Sequence, residues 1–178
     1  SRVPFRSVVN THHHGDHVNG NQYFEGAEII SHPYCRDEVV KVANAGGPAF
    51  WPRREGRADG TEPRRIVPPT TTFDGTMIYH YGENVVELIP MVPAHTYGDI
   101  VAYLTEHQVL FAGDIGFFYV VPWCQNAHPS HWIEVCNQSD DMEVQVVVPG
   151  HGPRGGKAEL AEMRDYLVRF SAATSRRY

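Results

Sequence analysis

The chain has 178 residues, of which 42% are hydrophobic and 20% are charged, and its formal net charge is −6. This composition is typical of one soluble globular domain. The basic residues form only short pairs rather than the stripe that nucleic-acid binding requires, and no apolar run approaches the roughly 18 residues of a membrane-spanning helix. We therefore expect a small-molecule substrate, and neither nucleic acid nor a membrane as partner.

The first part of the chain predicts short strands and helices separated by a polar loop. We expect strands over residues 5–10 and 27–31, a brief helix over 20–24, and a helix over 33–45 that begins at Pro33. Residues 11–20, THHHGDHVNG, are too polar for a core element and predict a loop at the end of the first strand.

Residues 46–70 are expected to form an irregular loop or lid. The stretch holds five of the thirteen prolines and four of the sixteen glycines, which disfavours a helix or a central strand. Long irregular loops inside compact domains are usually functional or disordered. Phe50 and Trp51 could contact substrate or anchor the loop to the core.

From Thr76 onward the pattern changes to short strands. We expect strands over 77–81, 85–89, 100–104, 109–112 and 144–148, and helices over 129–138 and 157–173. Strands in two groups, each followed by helices, predict a layered α/β sandwich.

The three cysteines are widely spaced and odd in number, which argues against a disulfide framework or a structural zinc knuckle. We expect Cys35, Cys124 and Cys136 to be partly buried thiols. The sequence does not define the compartment, although a cytoplasmic location is slightly favoured.

The pattern His12-x-His14-x-Asp16-His17 is the strongest chemical signal in the sequence. Imidazole nitrogen and carboxylate oxygen are the non-thiolate donors that zinc prefers, and such a cluster can supply two ions at once. Three further fragments place a donor at the end of a predicted strand, where loops can converge. They are PAHT at 93–96, FAGD at 111–114 and VPGHG at 148–152.

Taken in order, these four motifs resemble the signature of the metallo-β-lactamase superfamily, and most closely its glyoxalase II-like hydrolase branch. The resemblance extends from Thr11 to the closing helix and implies a four-layer αββα sandwich over residues 1–178. It also implies a centre of two Zn²⁺ ions, with Fe or Mn as alternatives. By motif position, the first metal would be held by His12, His14 and His95, the second by Asp16, His17 and His151, and Asp114 would bridge them. Asp16 and Asp114 are the implied catalytic carboxylates.

The resemblance implies a hydrolase that uses a zinc-bound hydroxide to cleave a small ester, thioester or lactone. The best-known β-lactamase subclasses tend to carry Cys or Ser at the position of Asp114. A β-lactam or other amide therefore ranks after esters, thioesters and lactones as a substrate. A mononuclear-iron persulfide dioxygenase shares the HxHxDH motif and is also an alternative. Phosphodiesters rank last among the substrates.

Other histidines and aromatic residues are expected to support the site or to be structural. The segment after Asp114 often contacts substrate in this family, although aromatic packing over the site is an equal interpretation. Its candidate residues are Tyr119, Trp123, His128 and His131. His13 and Asp99 are candidate supporting residues. We expect His32, His80 and His107 to be structural or solvated.

Family members usually carry several strands ahead of HxHxDH, whereas here the motif begins at residue 12. We therefore expect the chain to be N-terminally truncated, with the strand over 5–10 as an exposed sheet edge. Exposed edges template association, so marginal stability or self-association is a further expectation. An inactive relative that serves as a binding module is the non-enzymatic alternative.

Overall fold

The computed structural model describes residues 5–47 and 65–175, and the chain divides into two compact units, Ser1–Phe73 and Asp74–Tyr178. Each unit combines strands and helices, so the predicted α/β class is confirmed. Phe50, Trp51 and most of the predicted 46–70 loop lie outside the described residues. The single domain over 1–178 stays a prediction.

The first unit contains a parallel sheet of three short strands in the order β1-β2-β3. The strands are β1 (Ser7–Val9), β2 (Glu28–Ser31) and β3 (Thr71–Thr72). Ile29 and Ile30 of the central strand are buried, as expected of a strand covered on both faces. In the part of the chain that is described, β1 lies at a sheet edge, and the Phe5 side chain before it is 72% exposed. Self-association stays a prediction.

The first unit also contains helix α1 (Gly15–Val18), a 3₁₀ turn (Asn21–Tyr23) and helix α2 (Pro33–Asn44). The expectation of a loop throughout 11–20 was therefore wrong at α1. The carbonyl of His14 accepts hydrogen bonds from the N–H groups of both His17 and Val18, which closes one helical turn within the polar segment. Sequence periodicity cannot detect so short a helix.

The second unit contains a mixed sheet in the order β4-β5-β6-β7-β8. Its pairs are antiparallel except for β7 and β8, which are parallel. The strands are β4 (Met77–Tyr81), β5 (Asn84–Pro90), β6 (Ile100–Leu104), β7 (Val109–Phe117) and β8 (Val146–His151).

Strands β7 and β8 run further along the chain than the sequence predicted, and this affects the candidate site. The register of the β7–β8 pair shifts on both sides of Gly113, which has a positive φ of 51°. A bulge at a glycine allows pairing to resume after a local kink. Asp114 and His151 therefore lie within paired strands, rather than in the loops that follow shorter ones.

Helices α3 (Pro129–Asp140) and α4 (Lys157–Ser175) complete the second unit. Trp132 from α3 and Leu160 and Leu167 from α4 belong to the same buried cluster as Leu110 of β7. Within 5–47 and 65–175, no helix is long and apolar enough to cross a membrane.

Candidate metal centre

Two predicted ligands of the first unit, His14 and His17, lie close to the ring of a third, His12. The ring centroids of His14 and His17 lie 4.7 and 4.2 Å from that of His12, which is fully buried. The Thr11 hydroxyl lies 3.2 Å from His12 Nδ1. The ligand atoms of His12 and His14 lie within 4.8 Å of each other. The motif thus gathers imidazoles at the end of β1.

Helix α1 brings Asp16 and His17 together. His17 Nε2 lies 3.4 Å from Asp16 Oδ2, and the Asp16 side chain is 58% exposed. His13 lies beside this group but packs on Tyr34, with ring centroids 5.7 Å apart. The Asp16–His17 pair therefore offers one nitrogen and one oxygen donor near solvent.

A pair of buried asparagines that sequence reasoning missed fixes both ends of this segment. The amides of Asn10 and Asn21 donate to each other at 2.9 Å in both directions. Asn10 also donates to the carbonyl of His17, and Asn21 to that of Val67. Buried amides require such partners, so this pair holds the loop between them in place. The one available signal was a polar Asn10 directly after an apolar strand.

In the second unit, the carboxylate of Asp114 is contacted by two predicted ligands. Asp114 Oδ2 lies 3.1 Å from His95 Nε2 and 3.5 Å from His151 Nε2. The side chains of His95 and Asp114 are almost fully buried, whereas that of His151 is 40% exposed. Oδ2 of Asp114 therefore lies close to the Nε2 atoms of both His95 and His151.

Aromatic side chains hold the two imidazoles in place. The His95 ring lies against Phe117 and Trp132, with centroid distances of 5.5 and 5.2 Å. The ring of His151 stacks on that of Phe117, with a centroid distance of 4.8 Å and an interplanar angle of 15°. Trp132 is itself fixed, because its Nε1 donates to the carbonyl of Ile115 at 3.1 Å.

Asp99 holds the turn that carries His95. Its carboxylate accepts hydrogen bonds from the backbone N–H of Thr96 at 2.7 Å and from the Thr96 hydroxyl at 2.8 Å. The Thr96 hydroxyl in turn accepts from the N–H of Gly98. Burial raises the pKa of Asp99 to about 6, while its bonds to Thr96 act in the opposite direction. Asp99 thus fixes the turn and the residue next to His95; that it orients the His95 imidazole stays a prediction.

Gly150 of the VPGHG motif makes room for Asp114. A Cβ atom at position 150 would lie 2.0 Å from Asp114 Oδ1 and 2.9 Å from the carbonyl carbon of Gly113. Real Cβ atoms do not approach other heavy atoms so closely, so any side chain here would displace the carboxylate.

The remaining candidates lie in three kinds of environment. His32 caps α2 by accepting from the N–H of Tyr34, and His80 and His107 are exposed, as predicted. Tyr119, Trp123 and His131 are exposed, and the ring of His128 packs on Tyr97 at 4.0 Å. Substrate contact by these four residues stays a prediction.

Comparison with known proteins identifies the family. The model of the metallo-β-lactamase superfamily matches residues 2–153, which is most of the chain. The chain belongs to the metallo-β-lactamase superfamily. The glyoxalase II-like branch stays a prediction, since the match extends only to the superfamily.

Two curated relatives are similar along most of this chain. The linear primary-alkylsulfatase of Pseudomonas sp. (strain ATCC 19151) is 24% identical over 200 residues, covering 92% of this chain and 37% of the relative. The acyl-coenzyme A thioesterase MBLAC2 of Gallus gallus is 27% identical over 178 residues, covering 90% of this chain and 61% of the relative. The chain therefore spans less than two thirds of the length of each relative.

Solved structures show that the chain has the metallo-β-lactamase fold. A metallo-β-lactamase from Pontibacter korlensis matches with a TM-score of 0.71 and 20% identity, over 91% of this chain and 68% of that one. The DIM-1 metallo-β-lactamase exposed to ceftazidime matches with a TM-score of 0.69 and 18% identity, over 90% of this chain and 66% of that one.

The imidazole nitrogens and carboxylate oxygens of the candidate site fit a bound metal ion. Each unit presents imidazole nitrogens beside a carboxylate, which is the non-thiolate donor set of zinc. The contact of the Thr11 hydroxyl with His12 Nδ1 is of the type that orients metal-binding histidines.

Gly150→Ala should lower the affinity for Zn²⁺ by at least about tenfold, because the new methyl group displaces the Asp114 carboxylate. Gly75→Ala is the matched control, since a Cβ there meets nothing within 4 Å. Zn²⁺ affinity is measured by competition with a chromogenic chelator. Equal affinities for the two variants would show that Asp114 does not bind the metal.

Asp99→Ala should lower the Zn²⁺ affinity by about 10–100-fold, and Asp99→Asn by less, because asparagine retains one acceptor oxygen for Thr96. The alanine variant also leaves two buried donors of Thr96 without their acceptor, which costs ~1–3 kcal/mol of stability. Asp165→Ala, at an exposed carboxylate, is the control. If stability fell while Zn²⁺ affinity stayed constant across the three variants, Asp99 would not position His95.

Proposed function

We propose that this protein is a hydrolase that uses a two-metal centre to cleave a small ester, thioester or lactone. The observation that carries the proposal is the position of Asp114 Oδ2, which lies 3.1 Å from His95 Nε2 and 3.5 Å from His151 Nε2. By family resemblance these two histidines bind different ions. A carboxylate oxygen that lies beside a ligand of each ion is suited to bridging them.

In this proposal His12, His14 and His95 hold one ion, Asp16, His17 and His151 hold the other, and Asp114 contacts both. The rings of His12, His14 and His17 lie close together, which supports the part of this ligand set that belongs to the first unit. Nitrogen and oxygen donors favour zinc, with iron or manganese as alternatives.

Bound zinc ions would lower the pKa of a water molecule towards neutrality and polarise the carbonyl group of the substrate. The chain itself keeps bulk water away from His95 and Asp114, since both are buried and His95 packs against Phe117 and Trp132. Low local polarity strengthens electrostatic interactions at these donors.

This chemistry needs no side-chain nucleophile, and Cys124 and Cys136 are unsuited to be one. Burial raises the pKa of Cys136 to about 12 and also raises that of Cys124. Thiols with raised pKa values are poor nucleophiles at neutral pH. Water activated at the metal centre is therefore the proposed nucleophile.

The substrate class rests on two arguments. Asp114 differs from the Cys or Ser expected of the best-known β-lactamase subclasses, which favours esters and thioesters over β-lactams. The relative described as an acyl-coenzyme A thioesterase supports a thioester. Cleavage of an alkyl sulfate is a second candidate, which the relative described as an alkylsulfatase supports.

Asp114→Ala should lower hydrolysis by at least about a thousandfold, because the several kcal/mol of transition-state stabilisation that metal ions provide would be lost. His107→Ala should stay within about twofold of the parent, since His107 is exposed and contacts Asn84. The metal-loaded protein is assayed with a phenyl ester, a thioester, a lactone, a chromogenic β-lactam, octyl sulfate and bis(p-nitrophenyl) phosphate.

Equal losses in the two variants would contradict the assignment of Asp114 to the centre. Faster cleavage of the phosphodiester than of every ester, thioester and lactone would overturn the carbonyl substrate class, and preference for octyl sulfate would establish the second candidate instead.

A further inference from the structure

A cleft of about 230 Å³ lies in the second unit between residues 117–122 and helix α4. Its walls are mostly apolar. They include Phe117, Phe118, Val120, Val121, Met163 and Tyr166. Complete ligand pockets usually measure ~300–1,000 Å³, so a cleft of this size suits one portion of a ligand rather than a whole one.

The cleft begins beside a predicted metal ligand. Phe117, which lines it, stacks on the ring of His151 at 4.8 Å. The N–H of Phe118 donates to the carbonyl of His151 at 3.0 Å. Because His151 Nε2 is 3.5 Å from Asp114, the Phe117 ring that lines the cleft also contacts a residue of the candidate centre.

The segment that forms one wall is held in an unusual backbone conformation. Tyr119 has a φ of 61°, which is uncommon for a residue other than glycine, and such strain tends to persist at functional sites. Its hydroxyl donates to Glu159 Oε1 across the cleft at 3.2 Å. Beyond it, the side chains of Val120 and Val121 are 49% and 77% exposed. The cleft therefore opens to solvent through an apolar rim.

Carboxylates give the cleft a negative charge. Glu159 and Glu162 of α4 line it, and among the described residues its lining includes no basic side chain. The N–H of Gly156 donates to Glu159 Oε2 at 2.7 Å and lowers the pKa of Glu159, so this carboxylate stays ionised near neutral pH. An anionic group at this position would be repelled.

We propose that this cleft binds the apolar chain of the substrate and prefers chains with a neutral end over chains with an anionic end. The inference rests on the proposed function, because it makes the cleft the extension of the hydrolytic centre. It predicts a substrate with an extended hydrocarbon portion on one side of the bond that is cleaved.

The first test locates binding without relying on hydrolysis. The chain has four methionines, Met77, Met91, Met142 and Met163, which can be labelled with ¹³C in the methyl group. Octan-1-ol added to the metal-loaded protein should shift the NMR signal of Met163 and leave that of Met77 in place. A shift confined to Met91 and Met142, or no shift, would overturn the proposal.

Val121→Asp should weaken octanol binding about tenfold, because it places a charge on the apolar wall. Val168→Asp is the matched control, since Val168 is exposed on α4 and does not line the cleft. Val121→Asp should also lower kcat/KM about tenfold for p-nitrophenyl octanoate or octyl acetate, but not for p-nitrophenyl acetate or ethyl acetate. Equal effects of the two variants would contradict the proposal.

The charge preference is tested with mono-p-nitrophenyl suberate, which carries a carboxylate at the far end of its chain. Glu162→Gln should raise kcat/KM for this ester about threefold relative to the octanoate, whereas Asp165→Asn on the same helix should not. An unchanged ratio in Glu162→Gln would overturn the preference for neutral chains.

The two proposals fail in different ways. If no ester is hydrolysed while octanol still shifts Met163, the hydrolytic function fails and the apolar binding site stands. If esters are hydrolysed without any dependence on chain length or on Val121, the proposed function stands and the cleft has no role in it.

Discussion

Much of the second unit serves to place one carboxylate oxygen, Asp114 Oδ2, between the Nε2 atoms of His95 and His151. A buried carboxylate is costly unless it is paired or bound to a metal. The register of the β7–β8 pair shifts at Gly113, directly before Asp114, and the missing side chain at Gly150 leaves space for the other carboxylate oxygen. Because the buried Asp114 carboxylate is stabilised by a nearby positive charge, this arrangement favours the binding of cations.

The supporting structure follows from this requirement. Phe117 contacts both histidines, since it packs on His95 and stacks on His151, and it also forms the start of the cleft beside α4. The same strand end therefore orients the ligands and shapes the proposed chain-binding surface. In the first unit the Asn10–Asn21 amide pair has a comparable role, because it fixes the two ends of the segment that carries the histidine motif.

The sequence predicted the features that depend on residue type and periodicity. The strands at 77–81 and 100–104 were predicted at their observed bounds, and the helix beginning at Pro33 was recognisable from proline at a first helical position. Helix α1 was missed because one helical turn has no periodicity, and β7 was predicted too short because a bulge interrupts its alternation. The candidate ligands were chosen from their motifs and order, and their binding of metal stays a prediction. The role of Asn10 was harder to find, since its partner Asn21 lies eleven residues further along the chain.

The central claim is that Asp114 bridges two metal ions, and anomalous diffraction from crystals of the metal-loaded protein tests it most directly. Data collected at the zinc and iron absorption edges distinguish the metals as well as their number. The account predicts two zinc peaks in each chain, both within bonding distance of the Asp114 carboxylate, ~2.0–2.2 Å from its oxygens. A single iron peak held by His12, His14 and Asp114 would contradict the two-metal account and favour oxygenase chemistry. Zinc bound away from Asp114 would contradict the bridging role itself.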